Sequence, residues 1–236
     1  MVFPFASELK LKTKMITAQK ALEVIYPLLT LDRRQKIDRV VEERTFNICS
    51  VLENIYDRGN ASAVMRSAEA LGIGSVHSIE LSDKLKESQR TTAGADKWVE
   101  LTRWKTTKDC VLNLKQQGCQ IIVTHLDSTS KNISEVDFSK PSAIVLGNEK
   151  EGVSPEMIAA ADHRVILPMV GFVQSYNISV AASLCFYHIY MDRVRRLGRQ
   201  GDLTDSQKQI LKMHYALRTQ DSAMDVLETL ASRGEI

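Results

Sequence analysis

Long apolar runs are missing from this 236-residue sequence. None approaches the ~20 residues that a membrane-spanning helix needs, so no segment is expected to cross a bilayer. Cysteine is scarce as well. The four present, Cys49, Cys110, Cys119 and Cys185, lack metal-ligand spacing and sit among apolar neighbours. They read as reduced core thiols of an intracellular protein. Glycine and proline nowhere gather into a linker, and no repeat or low-complexity stretch occurs. The N-terminus lacks a signal-peptide core with its cleavage site. Residues 9–20 hold four lysines but no arginine, which argues against a transit peptide. The expected location is the cytoplasm, or an organelle if such a peptide has been trimmed.

Ligand motifs with a known mechanism are missing too. There is no GxGxxG and no phosphate loop ending in Gly-Lys-Ser/Thr, so a dinucleotide-type Rossmann site and a P-loop are disfavoured. The five histidines (His77, His125, His163, His188, His214) are scattered. No acid–base dyad, Cys/His nucleophile or metal cluster emerges, and no metal is expected.

What is present is an ordinary globular composition, 44% hydrophobic and 25% charged, which excludes a disordered chain. The net charge of +2 is unevenly spread: +3 over residues 1–44, −2 over 45–190 and +1 over 191–236. Arg193, Arg195, Arg196 and Arg199 fall within seven residues. They are candidate phosphate contacts, or alternatively a solvated helix end complementing the helix dipole.

Helix-like spacing of Leu22, Ile25, Leu28, Leu29, Ile37, Val40 and Val41 predicts two helices over 18–44, separated at Pro27. Short apolar strands then alternate with helices. Strands are predicted at 47–52, 76–81, 119–124, 143–146 and 165–167, and helices at 61–71, 106–117, from Ser154, and over 177–197. Thr204 and Asp221 read as caps of two terminal helices. This alternation indicates an α/β domain with a largely parallel, doubly covered sheet. The chain divides into an N-terminal helical extension (1–45), the α/β domain (46–198) and a C-terminal helical extension (199–236).

Such sheets bind ligands beyond the carboxyl ends of their strands, and three loops there carry polar groups. The first runs from Glu53 to Asn60 and leads to Arg66, an arginine among small apolar residues; Asn60 itself could be a plain helix cap. The second, Leu146 to Ser154, brackets Asn148 and Glu149 between Gly147 and Gly152, which would allow a ligand close to the backbone. The third, Leu167 to Ala182, sets Ser175, Asn177 and Ser179 at a helix N-terminus, where polar ligands can be satisfied. The residues by themselves reach three ligand-capable loops and no reaction.

At these loops the sequence resembles the SpoU branch of the SPOUT superfamily of RNA methyltransferases, and within it the TrmH family of tRNA guanosine 2′-O-methyltransferases. Three motifs occur in order: Asn54 through Asn60 to Arg66; Leu146-Gly147-Asn148-Glu149 with Gly152; and Leu167-Pro168-Met169 through Ser175-Tyr176-Asn177-Ile178-Ser179-Val180-Ala181-Ala182. Thr91 to Trp98 also resembles a family segment, and the likeness covers about 47–198. Gly59 departs from relatives that carry a larger polar residue there, which leaves the details of RNA contact open.

The resemblance implies a SPOUT fold, an α/β structure with a mostly parallel sheet, a C-terminal trefoil knot and flanking helices. It implies a homodimer with active sites at the interface, and S-adenosylmethionine as cofactor, held by Leu146, Gly147, Asn148, Glu149, Gly152, Ile166, Leu167, Met169, Ser175, Tyr176, Asn177 and Ser179. The catalytic set it implies is Arg66, Asn60, Glu149, Ser175 and Asn177. RNA, foremost tRNA, is the expected partner, with Arg193, Arg195, Arg196 and Arg199 meeting its phosphates. The expected reaction is 2′-O-methylation of a ribose, foremost a D-loop guanosine of tRNA. Methylation of rRNA or of the tRNA anticodon loop, and a non-catalytic RNA-binding role, stay open as alternatives.

Overall fold

The computed structural model describes residues 2–80 and 94–236. They form two compact units: Thr45–Gln200 together with Val2, and Phe3–Arg44 together with Gly201–Ile236. The second unit begins with a short antiparallel pair, β1 (Glu8–Lys10) and β2 (Met15–Thr17), which the sequence reading missed. Thr17 caps α1 (Ala18–Ile25) by accepting from Lys20 N, and Thr30 caps α2 (Leu31–Glu42) by accepting from Arg33 N. Pro27 lies in the tight turn between the helices, where its lack of an N–H does no harm.

The first unit runs β3 (Thr45–Glu53), α3 (Arg58–Ala70), β4 (Ile73–Ile79), β5 (Glu100–Trp104), α4 (Thr107–Gln116), β6 (Gln120–Thr124), β7 (Lys131–Asn132), β8 (Ser142–Leu146), α5 (Pro155–Ala160), β9 (His163–Ile166) and α6 (Ile178–Leu197). Its seven strands form one sheet, parallel throughout, in the order β5-β4-β3-β8-β6-β9-β7. Strand alternation divides the core between the two faces. Ile48, Leu52, Ile122, Ile144 and Leu146 pack with Val64, Met65 and Ala68 of α3 and with Ala182, Cys185 and Phe186 of α6. Cys49, Val51, Ile121, Val123 and Val145 pack with Cys110 and Leu114 of α4 and with Met157 of α5. All four cysteines are buried and free. Burial pushes the Cys110 and Cys185 thiols up to about 12, so neither is a nucleophile near neutrality.

Several predicted boundaries shift. β4 starts at Ile73 and ends at Ile79, and the expected strand end at Leu81 lies outside the described residues, as do Thr91 to Ala93 of the fourth resembling segment. β5 was not predicted, because Glu100, Thr102 and Arg103 give this edge strand little apolar signal. The second unit closes with α7 (Asp205–Thr219), where Thr204 and Gln207 form a reciprocal capping box, and α8 (Ala223–Ser232). Ser222, not Asp221, precedes α8. Asp38 of α2 ties this unit together, accepting from Tyr26 OH at 2.7 Å and pairing with Lys212 of α7 at 2.7 Å. Among the described residues no helix is long and apolar enough to cross a membrane.

Candidate active site

The three polar loops follow β3, β8 and β9 at one end of the parallel sheet, and hydrogen bonds join them. Asp57, not Asn60, caps α3: its Oδ1 accepts from Asn60 N at 2.9 Å. That corrects the cap reading of Asn60, whose side chain is thereby left for longer-range partners. Asn60 Nδ2 donates to Glu149 Oε1 at 2.8 Å, and Asn60 Oδ1 accepts from Asn177 Nδ2 at 3.2 Å. Asn177 in turn caps α6, its Oδ1 accepting from Ser179 N at 2.9 Å and from Ser179 Oγ at 2.6 Å.

The loop after β8 is a tight turn. Asn148 and Gly152 exchange two backbone hydrogen bonds of 2.9 Å, and Gly152 has φ +72°. A Cβ on Gly147 would lie 2.3 Å from the Gly152 carbonyl carbon, so only glycine fits there. Asn148 Oδ1 accepts from Lys150 N and Glu151 N, while its Nδ2 donates to the Asn54 carbonyl at 2.9 Å. The loop's shape is therefore held by a buried amide from within and by the end of β3 from outside.

Beside these loops lies a cleft of about 440 Å³. It is lined by Leu146, Gly147, Asn148, Glu149, Gly152, Ile166, Leu167, Met169, Ser175, Tyr176 and Asn177, all of them predicted. Ser179 stays in the first turn of α6, outside the lining, where it partners Asn177. Gln174, Ile178 and Ala181 of the third motif loop complete the lining with Thr124, His125, Leu126 and Val165, and these last four the sequence reading missed. Thr124 to Leu126 end β6, which lies between β8 and β9 in the sheet. The rule that ligands meet strand ends applied to β6 as well, but only the strand order shows that it shares this cleft. At the rim, His125 Nε2 lies 3.4 Å from Asp127 Oδ2. The Thr129 hydroxyl and backbone N–H, with Ser130, donate to Asp127 and hold its carboxyl down at about 2. Among the described residues no cluster of His, Cys, Asp and Glu could hold a metal.

Arg66 stands exposed on α3, outside the cleft lining, and makes no hydrogen bond or ion pair among the described residues. The four C-terminal arginines part company. Arg193 is 1% exposed; its Nη1 donates to Phe138 O at 3.0 Å and its Nη2 to Gln200 O at 3.1 Å. The expectation that it meets RNA is corrected: its guanidinium is buried and committed to backbone carbonyls. Arg195 and Arg196 are exposed but both pair with Asp192, a buried carboxylate that also accepts from Phe138 N. Arg199 is exposed and pairs with no described residue.

α6 is apolar on two faces. Ile178, Ala182, Cys185, Phe186 and Ile189 are buried, while Val180, Leu184, Tyr187 and Met191 form an exposed stripe along the other side. Val170 and Phe172 in the preceding loop are fully exposed.

Residues 47–187 match the SpoU rRNA methylase family. The tRNA (guanosine(18)-2′-O)-methyltransferase of Borreliella burgdorferi is 35% identical over 196 residues, covering 83% of this chain and 89% of that protein. The crystal structure of the Aquifex aeolicus TrmH/SpoU tRNA modifying enzyme aligns with a TM-score of 0.72 and 30% identity, over 80% of this chain and 96% of its own. An AdoMet-bound rRNA methyltransferase from Sinorhizobium meliloti shares the fold, with a TM-score of 0.56 and 21% identity over 66% of this chain and 59% of that one.

Proposed function

We propose that this chain, which belongs to the SpoU rRNA methylase family, methylates a ribose 2′-hydroxyl of tRNA with S-adenosylmethionine, at a D-loop guanosine; its relatives are named for guanosine 18 of tRNA. The observation that carries this reading is the Glu149–Asn60–Asn177 network, which joins all three motif loops beside one cleft.

The cleft fits the cofactor. About 440 Å³ is an ordinary small-molecule volume. Leu146, Val165, Leu167 and Met169 offer an apolar bed for a base, and the closeness of Gly147 to Gly152 brings backbone groups to the lining. Ser175, Gln174 and Asn177 add polar groups for the ribose and amino-acid ends. Bound there, S-adenosylmethionine supplies an electrophilic methyl on a positively charged sulfur.

The chain's own residues do the rest. Arg66 keeps its charge at any working pH, because its pKa exceeds about 12, so it is no proton acceptor. It holds a phosphate of the tRNA, which takes the 2′-hydroxyl proton, and it stabilises the negative charge that develops. Asn60, held between Glu149 and Asn177, fixes the start of α3 on which Arg66 stands. Ser175 and Asn177 orient the reacting ribose, since holding reactants in near-attack geometry removes much of the barrier.

Two further parts belong to this reading. The exposed stripe of α6, with Val170 and Phe172, is the surface of a homodimer, because a helix apolar on both faces needs a second partner. Arg195, Arg196 and Arg199, together with the net +3 of residues 1–44, meet tRNA phosphates, which position without specifying bases. The C-terminal trefoil knot is carried with the family fold, and the tRNA substrate is met in the cytoplasm or an organelle that translates.

The test incubates the purified protein with methyl-labelled S-adenosylmethionine and separate unmodified tRNA and rRNA pools, then maps the label. Label on a D-loop guanosine 2′-oxygen is expected. Label in rRNA alone would replace the substrate, and no label in either pool would remove the activity.

A further inference from the structure

Glu53 closes β3 and is 2% exposed, yet it neither lines the cleft nor takes part in the chemistry above. Among the described residues no cation faces it. Its Oε1 accepts from Thr107 Oγ1 at 2.8 Å, at the start of α4, and from Ser154 Oγ at 2.7 Å. Its Oε2 accepts from Ser154 N at 2.8 Å. A buried carboxylate is tolerated only when its oxygens are bonded, and three neutral donors do that here. An apolar side chain would fill the same space without the desolvation, so what the carboxylate holds is informative.

Ser154 ends the loop after β8 and caps α5, accepting from Met157 N. The loop's other end is held from the neighbouring residue, since the Asn54 carbonyl accepts from Asn148 Nδ2. Asn54 presents that carbonyl from the left-handed region, at φ +55°, which asparagine tolerates better than most residues. Residues 53 and 54 therefore grip both ends of a loop whose Gly147, Asn148 and Glu149 line the cleft.

We propose that Glu53 is a positioning residue for the cofactor: by anchoring Ser154 it sets the loop in the shape that S-adenosylmethionine requires. The inference rests on the cleft being the cofactor site. Glu53 touches neither cofactor nor RNA and acts through Ser154.

The experiment uses the full chain with Glu53→Gln, Ser154→Ala and both together. It measures S-adenosylmethionine affinity by calorimetry, tRNA affinity without cofactor, KM and kcat, and the melting temperature. Glu53→Gln and Ser154→Ala should each weaken cofactor binding roughly fivefold to thirtyfold, the scale of one lost buried hydrogen bond. The double variant should lose less than the sum of the two single losses, because both changes act on the same Glu53–Ser154 anchor, made of two hydrogen bonds. KM for S-adenosylmethionine should rise while kcat at saturating cofactor and tRNA affinity hold. A merely structural role would lower melting temperature, tRNA affinity and kcat together, and that result would overturn the proposal. If Glu53→Gln does not fold, Thr107→Val, which keeps its shape and removes one donor, decides by the same criteria. Wild-type protein that binds the cofactor beside folded variants that bind it equally well overturns the Glu53 role alone. Wild-type protein that binds none overturns the cofactor reading and this inference with it.

Discussion

Asn60 and Glu149 lie 89 positions apart in the chain, and the Asn60 side-chain amide donates to the Glu149 carboxylate at 2.8 Å. That bond joins the loop after β3 to the loop after β8, and Asn177 extends it to the loop before α6. Glu149 is exposed and Asn60 half-buried, and the bond itself is open to solvent, so water screens it and its strength is modest. Glu149→Ala should lower single-turnover methylation roughly fivefold to thirtyfold, for a bond of about 1–2 kcal/mol. Glu149→Gln, which keeps an acceptor oxygen, should lose less. A rate equal to wild type for Glu149→Ala would show that the bond does not serve the reaction.

Arg66 separates positioning from binding. Arg66→Ala should lower kcat by roughly 10²–10³, the usual effect of removing one charge-stabilising donor. Arg66→Lys should recover little, since a point charge does not reproduce the guanidinium fork. Filter binding should find tRNA affinity reduced only by the single lost phosphate contact, far less than the fall in kcat. Near-normal turnover in either variant would refute the phosphate-holding role.

The exposed stripe of α6 is tested by charge. Leu184→Asp or Tyr187→Asp should convert a dimer to monomers at micromolar concentration in the ultracentrifuge. Burying one such side chain contributes about 1.5–3 kcal/mol, and a buried aspartate adds its own penalty. A wild-type protein that sediments as a monomer would leave the stripe without this role.

Arg193 and Arg199 should behave oppositely. Arg193→Ala empties a buried site and leaves the Phe138 and Gln200 carbonyls short of their donors. It should destabilise the fold by about 3–5 kcal/mol in denaturant titration. Arg199→Ala should leave stability unchanged and reduce the salt slope of tRNA binding by about one. Salt-independent tRNA affinity would remove the phosphate contacts altogether.

His77 gives the protein an acid limit. Burial lowers its pKa to about 4 from 6.5, and its Nδ1 accepts from Trp104 Nε1 at 2.9 Å, which requires that nitrogen to be unprotonated. The unfolded chain binds the proton first, so this contribution is complete above about pH 6.5 and is lost as pH falls towards 4. The shift amounts to about 3 kcal/mol at most. Melting temperature should therefore fall across that window, and fall less in His77→Gln. Parallel pH profiles for the two proteins would contradict this.

Much of this molecule was local and therefore readable in its sequence. Apolar runs such as Ile121-Ile122-Val123 declare buried parallel strands whatever lies beside them. Pro27 and the caps at Ser154 and Thr204 act on their own few residues. Eleven residues chosen from two loops line one cleft, because strand-to-helix loops of a parallel sheet all open at the same end. Tertiary structure alone decided what depends on distant neighbours. The order β8-β6-β9 brings Thr124, His125 and Leu126 to the cleft, and no local pattern encodes strand order. Asp57 takes the cap that Asn60 could have taken, and so frees Asn60 for Glu149. Of four similar arginines in seven residues, helix rotation and the Phe138 and Gln200 carbonyls bury Arg193 and leave Arg199 in water. Glu53 looked like one more polar loop residue until Thr107 and Ser154 closed over it, since burial is a property of the whole packed chain.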